Sequence, residues 1–240
     1  TLSFASFGFT NNGSYSVVIS NASGLAISVP ASLSVSNAPL FTWGANRVGQ
    51  LGNGSYVNTN LPIAISADVV MAASGSNHSL FVMADGTLWV MGTNSFGQLG
   101  NGSSTSTNRP APITNNVVAV AAGADHSLFV RSDGTLFAMG NNLSGQLGIG
   151  QTGGFRTVPM PITNQVVAVT AGARHSLFIR ADGTLWGMGL NDVGQLGILP
   201  LGITNRPVLV SSNVIMAAAG GGHSLFVRPD GTLLGMGANG

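Results

Sequence analysis

The stretch Gly123-Ala124-Asp125-His126-Ser127-Leu128-Phe129-Val130-Arg131-Ser132-Asp133-Gly134-Thr135-Leu136 decides the fold, because the chain repeats it. His-Ser-Leu-Phe begins at His78, His126, His175 and His223, at steps of 48, 49 and 48. Gly-Gln-Leu-Gly has its glutamine at Gln50, Gln98, Gln146 and Gln195, at steps of 48, 48 and 49. Asp-Gly-Thr-Leu recurs at Asp85, Asp133, Asp182 and Asp230. Independent landmarks sharing one period mark a repeat architecture, in which each unit buries its apolar faces against its neighbours.

Working outward from that stretch, each unit reads as four short strands. Val117 to Ala122 is apolar and dense in small residues, His126 to Arg131 is a second strand, and Thr135 to Gly140 a third. Asp133-Gly134 between them predicts a two-residue hairpin of type I′, which needs positive φ at both central positions. A longer loop holding Gly145-Gln146-Leu147-Gly148 leads to Pro159-Met160-Pro161-Ile162, whose prolines place it at a sheet edge. Strands apolar on both faces, such as Leu128-Phe129-Val130, need sheets covered on both sides, and the Ala/Gly-rich first strand suits the crowded axis of a radial array. The expected fold class is all-β, a β-propeller of four-stranded antiparallel blades. Complete blades are expected at about 68–114, 116–162 and 165–210, with partial ones at about 40–66 and from 213.

Composition narrows the chemistry. The 240 residues include 8 basic side chains, all Arg, and 7 acidic ones, all Asp, with no Lys, Glu or Cys. At 6% the charged fraction is far below the roughly 25% of a typical soluble domain. A Schiff-base lysine, a thiol nucleophile, a disulfide, a thiolate zinc site, a P-loop lysine and a paired-Glu glycosidase site are all excluded. The net charge of +1 offers no basic stripe for nucleic acid. No apolar run approaches the ~18–20 residues of a membrane-spanning helix. A charge-poor, cysteine-free, Asn/Ser/Thr/Gly-rich chain points to an exported bacterial protein, extracellular or at the cell surface. Thr1 is not an initiator and Ala238-Asn239-Gly240 sits inside a fifth Gly-x-Asn turn, so the expectation is a fragment at both ends. The blades that would close the ring are then expected from the same chain.

The motifs Trp43-Gly44-Ala45-Asn46 through Gly52, Gly75 to Leu80 and Asp85-Gly86 resemble the regulator of chromosome condensation repeat. The resemblance covers about residues 40 to 240, with Met-Gly replacing Trp-Gly at Met91, Met139, Met188 and Met236. It implies a propeller of usually about seven blades, more than are seen here. Residues 1–36 lie outside the period. Asn12 to Gly24, with Tyr15 and Val17, resembles the last hairpin of an immunoglobulin-like domain and its tyrosine corner, and Ala31 to Val35 a final strand. The expected organisation is therefore an immunoglobulin-like tail at 1–36, a linker at 37–40 and an incomplete propeller at 41–240.

The four histidines occupy one slot of every unit, one per blade, so they do not read as converging metal ligands. They read as structural, satisfying backbone groups at the Gly-x-x-His turn. The Asp-Gly aspartates read as turn formers and the Gly-Gln-Leu-Gly glutamines as loop braces. The tryptophans and phenylalanines read as mostly repeat-locked core. No catalytic, cofactor or metal residue is assigned, and no cofactor is expected.

Subtracting the repeat-locked charges leaves variation at two slots. Arg47 and Asp192 share the loop slot also held by Ser95 and Leu143, and Asp125 and Arg174 share the slot before His, also held by Asn77 and Gly222. In a four-stranded meander both slots fall on the rim opposite the Asp-Gly turns, where loops vary without disturbing the core. Arg47, Asn77, Phe96, Asp125, Arg174 and Asp192 are accordingly the candidate partner-binding residues. The expected function is a non-catalytic binding or scaffold module holding a protein or glycan ligand on that face. The alternative, implied by the resemblance alone, is a guanine-nucleotide exchange factor-like regulator of a small GTPase.

Overall fold

The computed structural model describes residues 39–239 and, before them, the strands at 13–15, 18–21, 24–27 and 31–33. The chain divides into two units, Thr1–Ala38 and Pro39–Gly240. In the first, β1 (Gly13–Tyr15) pairs antiparallel with β4 (Ala31–Leu33), and β2 (Val18–Asn21) with β3 (Gly24–Ile27). The immunoglobulin-like reading depends on the Tyr15 side chain and on Val17, which lie outside the described residues.

The second unit is built wholly from antiparallel sheets. A two-stranded sheet, β5 (Leu40–Gly44) with β6 (Thr59–Ser66), comes first. Three four-stranded meanders follow. They are β7 (Val69–Ser74), β8 (His78–Met83), β9 (Leu88–Gly92) and β10 (Thr107–Thr114), then β11 (Val117–Ala122), β12 (His126–Arg131), β13 (Leu136–Asn141) and β14 (Phe155–Thr163). The third comprises β15 (Val166–Ala171), β16 (His175–Arg180), β17 (Leu185–Leu190) and β18 (Ile203–Ser211). A three-stranded sheet, β19 (Met216–Ala219), β20 (His223–Val227) and β21 (Leu233–Gly237), ends the unit. The proline-bearing fourth strand is at the edge of every complete sheet, where its missing N–H groups forfeit no ladder bond.

Burial explains why the sheets stack face to face. Every residue of β12 from His126 to Val130 is buried, so both faces of that strand are covered. Phe129 packs with Leu80, Val82, Leu88 and Val90 of the preceding sheet, whereas Leu128 and Val130 pack with Val166, Phe178 and Met188 of the following one. Leu177 and Ile179 repeat the arrangement against Val214 and Phe226. Burying a Phe or Leu side chain is worth about 1.5–3 kcal/mol, so each inter-sheet layer contributes many times what one sheet could recover alone. The first strands of successive sheets also touch, β7 with β11, β11 with β15 and β15 with β19. Stacked four-stranded meanders with their first strands innermost make these sheets blades of a β-propeller.

Two sequence expectations change in detail. The Asp-Gly hairpin is not type I′, because only its glycine has positive φ, 80° at Gly134. Gly134 N–H donates to the Arg131 carbonyl at 2.9 Å and Arg131 N–H to the Thr135 carbonyl at 3.0 Å. These bonds close a three-residue loop, Ser132 to Gly134, ending in a left-handed glycine. The Asp133 carboxylate accepts the Thr135 N–H at 2.8 Å, so the aspartate braces the turn and has no need of the left-handed region. The tryptophans are not core either. Phe81, Phe129 and Phe178 are fully buried, but Trp89 and Trp186 are half-buried, stacked on Phe81 and Phe178, and Trp43 is 61% exposed.

Candidate functional site

The candidate rim is built on two kinds of connection, and the structure joins them. The turn before each histidine is bonded to the end of the third strand of its own blade. Thr93 N–H donates to Asn77 C=O at 2.8 Å, Asn141 to Asp125 at 2.9 Å and Leu190 to Arg174 at 2.9 Å. First-to-second turns and third-to-fourth loops therefore share one rim, opposite the Asp-Gly turns.

A buried asparagine organises each long loop. Asn94 donates from Nδ2 to Asn101 Oδ1 at 3.0 Å, to Ser103 C=O at 2.9 Å and to Thr105 C=O at 3.1 Å, while its Oδ1 accepts the Leu99 N–H at 2.9 Å. Asn46, Asn142 and Asn191 repeat parts of this pattern in their own loops. In the sequence this asparagine stands out only as part of the repeat motif; its fixed place after Gly-x is the signal of its role. Gln98 Oε1 accepts the Phe96 N–H at 2.9 Å, a loop brace as expected of that glutamine.

The histidines find their partner in the next blade, not in their own turn. His78 Nε2 lies 2.9 Å from Ser127 Oγ, His126 Nε2 2.9 Å from Ser176 Oγ, and His175 Nε2 2.8 Å from Ser224 Oγ. Each serine hydroxyl donates onward to a glutamine carbonyl of the blade before it, Ser127 to Gln98 at 2.7 Å and Ser176 to Gln146 at 2.8 Å. With its proton committed, the serine can only accept from histidine, so Nε2 carries the imidazole proton and Nδ1 is left a buried acceptor without a partner. Burial accordingly pushes His78 and His175 down to about 4 and His126 to about 3, the last also held down by the flanking His78 and His175. The ring lies flat on a glycine. A Cβ on Gly123 would meet His126 Nδ1 at 2.4 Å and the Gly172 carbonyl at 2.6 Å, so this turn has no room for any side chain. Among the described residues no three metal-ligating side chains converge.

Over this frame the six candidate residues are distributed as follows. Asn77 and Arg174 are exposed and Asp125 half-buried, in the first-to-second turns of successive blades. Arg47 and Asp192 are exposed and Phe96 half-buried, in third-to-fourth loops. Asp125 and Arg174 are brought together: burial raises the Asp125 pKa and the Arg174 charge works against that rise. Phe96 meets Phe155 of the next blade edge-on, ring centroids 6.5 Å apart. Arg47 and Asp192 are not brought together, since two complete blades stand between their sheets. Two further residues of this rim are not among the sequence candidates: Phe155 and the apolar occupant of the variable loop slot, Leu143, which is 58% exposed. An apolar residue in a slot otherwise held by Arg, Ser and Asp was the available signal.

Residues 18–240 match the family model described as RCC1-like domain. The chain belongs to the RCC1-like domain family. The crystal structure of human WBSCR16 superposes with a TM-score of 0.73 at 24% identity, covering 83% of this chain and 57% of that one. Prp20p from Saccharomyces cerevisiae, a protein with binding properties to Gsp1p and histones, gives 0.70 at 22% identity, covering 84% of this chain and 52% of that one. The chain thus spans little more than half the length of these solved relatives, and at such identities the likeness is one of fold. No curated protein matches the chain. Among the described residues no helix is long and apolar enough to cross a membrane.

Proposed function

We propose that this RCC1-like chain is a non-catalytic protein-binding module whose ligand is held on the rim carrying Arg47, Asn77, Phe96, Asp125, Arg174 and Asp192. The supporting observation is a contrast within one rim. The His, Ser, Asn and Gln slots repeat a common hydrogen-bonded frame, while the solvent-facing slots above it change from Arg to Ser, Leu and Asp between blades. A rigid scaffold with variable exposed loops is the usual arrangement for recognition. The charge-poor, cysteine-free composition supports display of this module by an exported or cell-surface bacterial protein. The exchange-factor alternative rests on the family resemblance alone, and the repeats carry no inserted wedge among the described residues.

The test is affinity capture on immobilised wild-type chain, an Asp125→Arg/Arg174→Asp double variant and an Asp133→Asn control. Proteins retained by wild type and the control, but lost by the double variant at unchanged melting temperature, are the expected outcome. Loss only with changes beside the Asp-Gly turns would place recognition on the other rim.

A further inference from the structure

The opposite rim carries a feature that packing does not require. The first strand of each complete blade slips register at one residue, between Val69 and Met71, Val117 and Ala119, and Val166 and Ala168. The skipped residue is a valine each time, and the equivalent slot ahead of β19 holds Ile215. Bulges re-aim side chains, and here they turn valines into water: Val70 is 40% exposed, Val118 51% and Val167 58%, with Ile215, ahead of β19, at 59%. The residue before it is, by contrast, buried in three units, at Val117, Val166 and Val214, and half-buried at Val69. A polar side chain would fit the extruded slot equally well as far as the core is concerned, yet all four units place a β-branched aliphatic there.

Beside Val118 and Val167 stands the exposed carboxylate of the Asp133-Gly134 turn. A groove of about 420 Å³ between successive blades is lined by Val118, Val167, Asp133 and Arg131 together with the connector at 165–166. Charge is divided unequally between the rims. Asp68, Asp85, Asp133, Asp182 and Asp230 lie on this one with Arg131, Arg180 and Arg228, so five carboxylates against three guanidiniums leave two negative charges. The other rim holds five arginines and two aspartates, and is positive. Arg131 and Arg180 are held in place, bonded to Thr114 and Thr163 at 2.8 Å and lying over the rings of Phe137 and Trp186, and their charges act on Asp133 and Asp182, so the excess negative charge comes from Asp68 and Asp85.

We infer that the Asp-Gly rim is a second docking face, shaped for an extended basic segment of a partner protein. Its lysine or arginine stems lie on Val118, Val167 and Ile215, and their cationic heads reach Asp133, Asp182 and Asp230. A long basic side chain is apolar along its stem and charged at its tip, which is the pairing the groove at Val118, Val167 and Asp133 offers. The surface is distinct from the rim proposed above and stands or falls separately from it.

Labelled octalysine at low ionic strength, followed by fluorescence anisotropy, tests this, with an octamer of 2,4-diaminobutyrate carrying the same charge on stems two methylenes shorter. Asp133→Asn/Asp182→Asn should weaken octalysine about five- to tenfold, as loss of a few exposed ion pairs would. Val118→Ser/Val167→Ser should weaken octalysine to a similar degree and leave the shorter-stemmed octamer unchanged, with melting temperature unaltered. Should the serine variants melt low, Val118→Thr/Val167→Thr keeps the branched shape and gives the same reading. Equal affinity of the two octamers for every variant, absence of octalysine binding, or sensitivity only to Asp125→Asn/Asp192→Asn would each overturn the inference.

Discussion

His126 Nε2 lies 2.9 Å from Ser176 Oγ although fifty residues separate the two in sequence, and this pair ties one blade to the next. The Ser176 hydroxyl passes the link to the Gln146 carbonyl, so a histidine, a serine and a loop backbone are fastened together across two blades. Replacing His126 with Ala empties a fully buried site and strips the serine of a donor. Stability should fall by about 1–3 kcal/mol in urea denaturation, with the metal content unchanged. Loss of a stoichiometric metal on that substitution would refute the structural role.

Acid should loosen the same links. His78, His126 and His175 are held neutral, at about 4, 3 and 4, below the ordinary 6.5. Because the unfolded chain binds protons first, their contribution is fully present above pH 6.5 and is lost as pH falls toward 4 and below. The urea midpoint should therefore drop between pH 7 and pH 5, above the range in which the exposed aspartates protonate. The drop should shrink in His126→Gln, and an equal drop in that variant would assign it to other groups.

Asn94 offers a test of the loop frame. The two N–H groups of its amide are shared among three acceptor oxygens and its carbonyl accepts one bond. Asn94→Asp keeps the shape but loses the donors and sets a carboxylate against three oxygens. It should destabilise at least as much as Asn94→Ala, by about 2 kcal/mol or more in chemical denaturation. An aspartate variant as stable as wild type would mean that shape, and not donation, organises the loop.

The coupling of Asp125 to Arg174 can be read directly. Burial already raises the Asp125 pKa, and the neighbouring guanidinium opposes that rise. Arg174→Ala should move the Asp125 carboxyl titration to still higher pH in carbon-detected NMR. An unmoved midpoint would show that the two turns do not sense each other.

Phe41 and Trp43 are exposed on β5, which pairs only with β6 among the described residues. In the complete blades the residue equivalent to Phe41 stacks on a second-strand Phe, as Phe137 does on Phe129 with ring centroids 5.0 Å apart. Left uncovered, this surface should drive concentration-dependent self-association of the chain in sedimentation velocity, relieved by Phe41→Ser/Trp43→Ser. Wild type running as a single monomeric species at every concentration would contradict this.

The period, the four strands of each unit, the proline strand at the sheet edge and the bracing roles of Asp133 and Gln98 were legible in the sequence alone. All of them follow from local chemistry: apolar runs, turn residues and missing N–H groups act within a few residues of where they are written. The absence of lysine, glutamate and cysteine was equally decisive, since chemistry without its side chain cannot occur. A repeat aligns equivalent residues but does not say which neighbour each one meets. That His126 reaches Ser176 rather than its own turn depends on the offset between blades, a radial quantity that no spacing in the chain encodes. Val118 looked like an ordinary strand residue until the bulge between Val117 and Ala119 turned it outward. The division of charge between two rims likewise appeared only when Asp-Gly turns and histidine turns were carried to opposite ends of the same sheets, because strand direction, not sequence distance, decides which side of a blade a charge occupies.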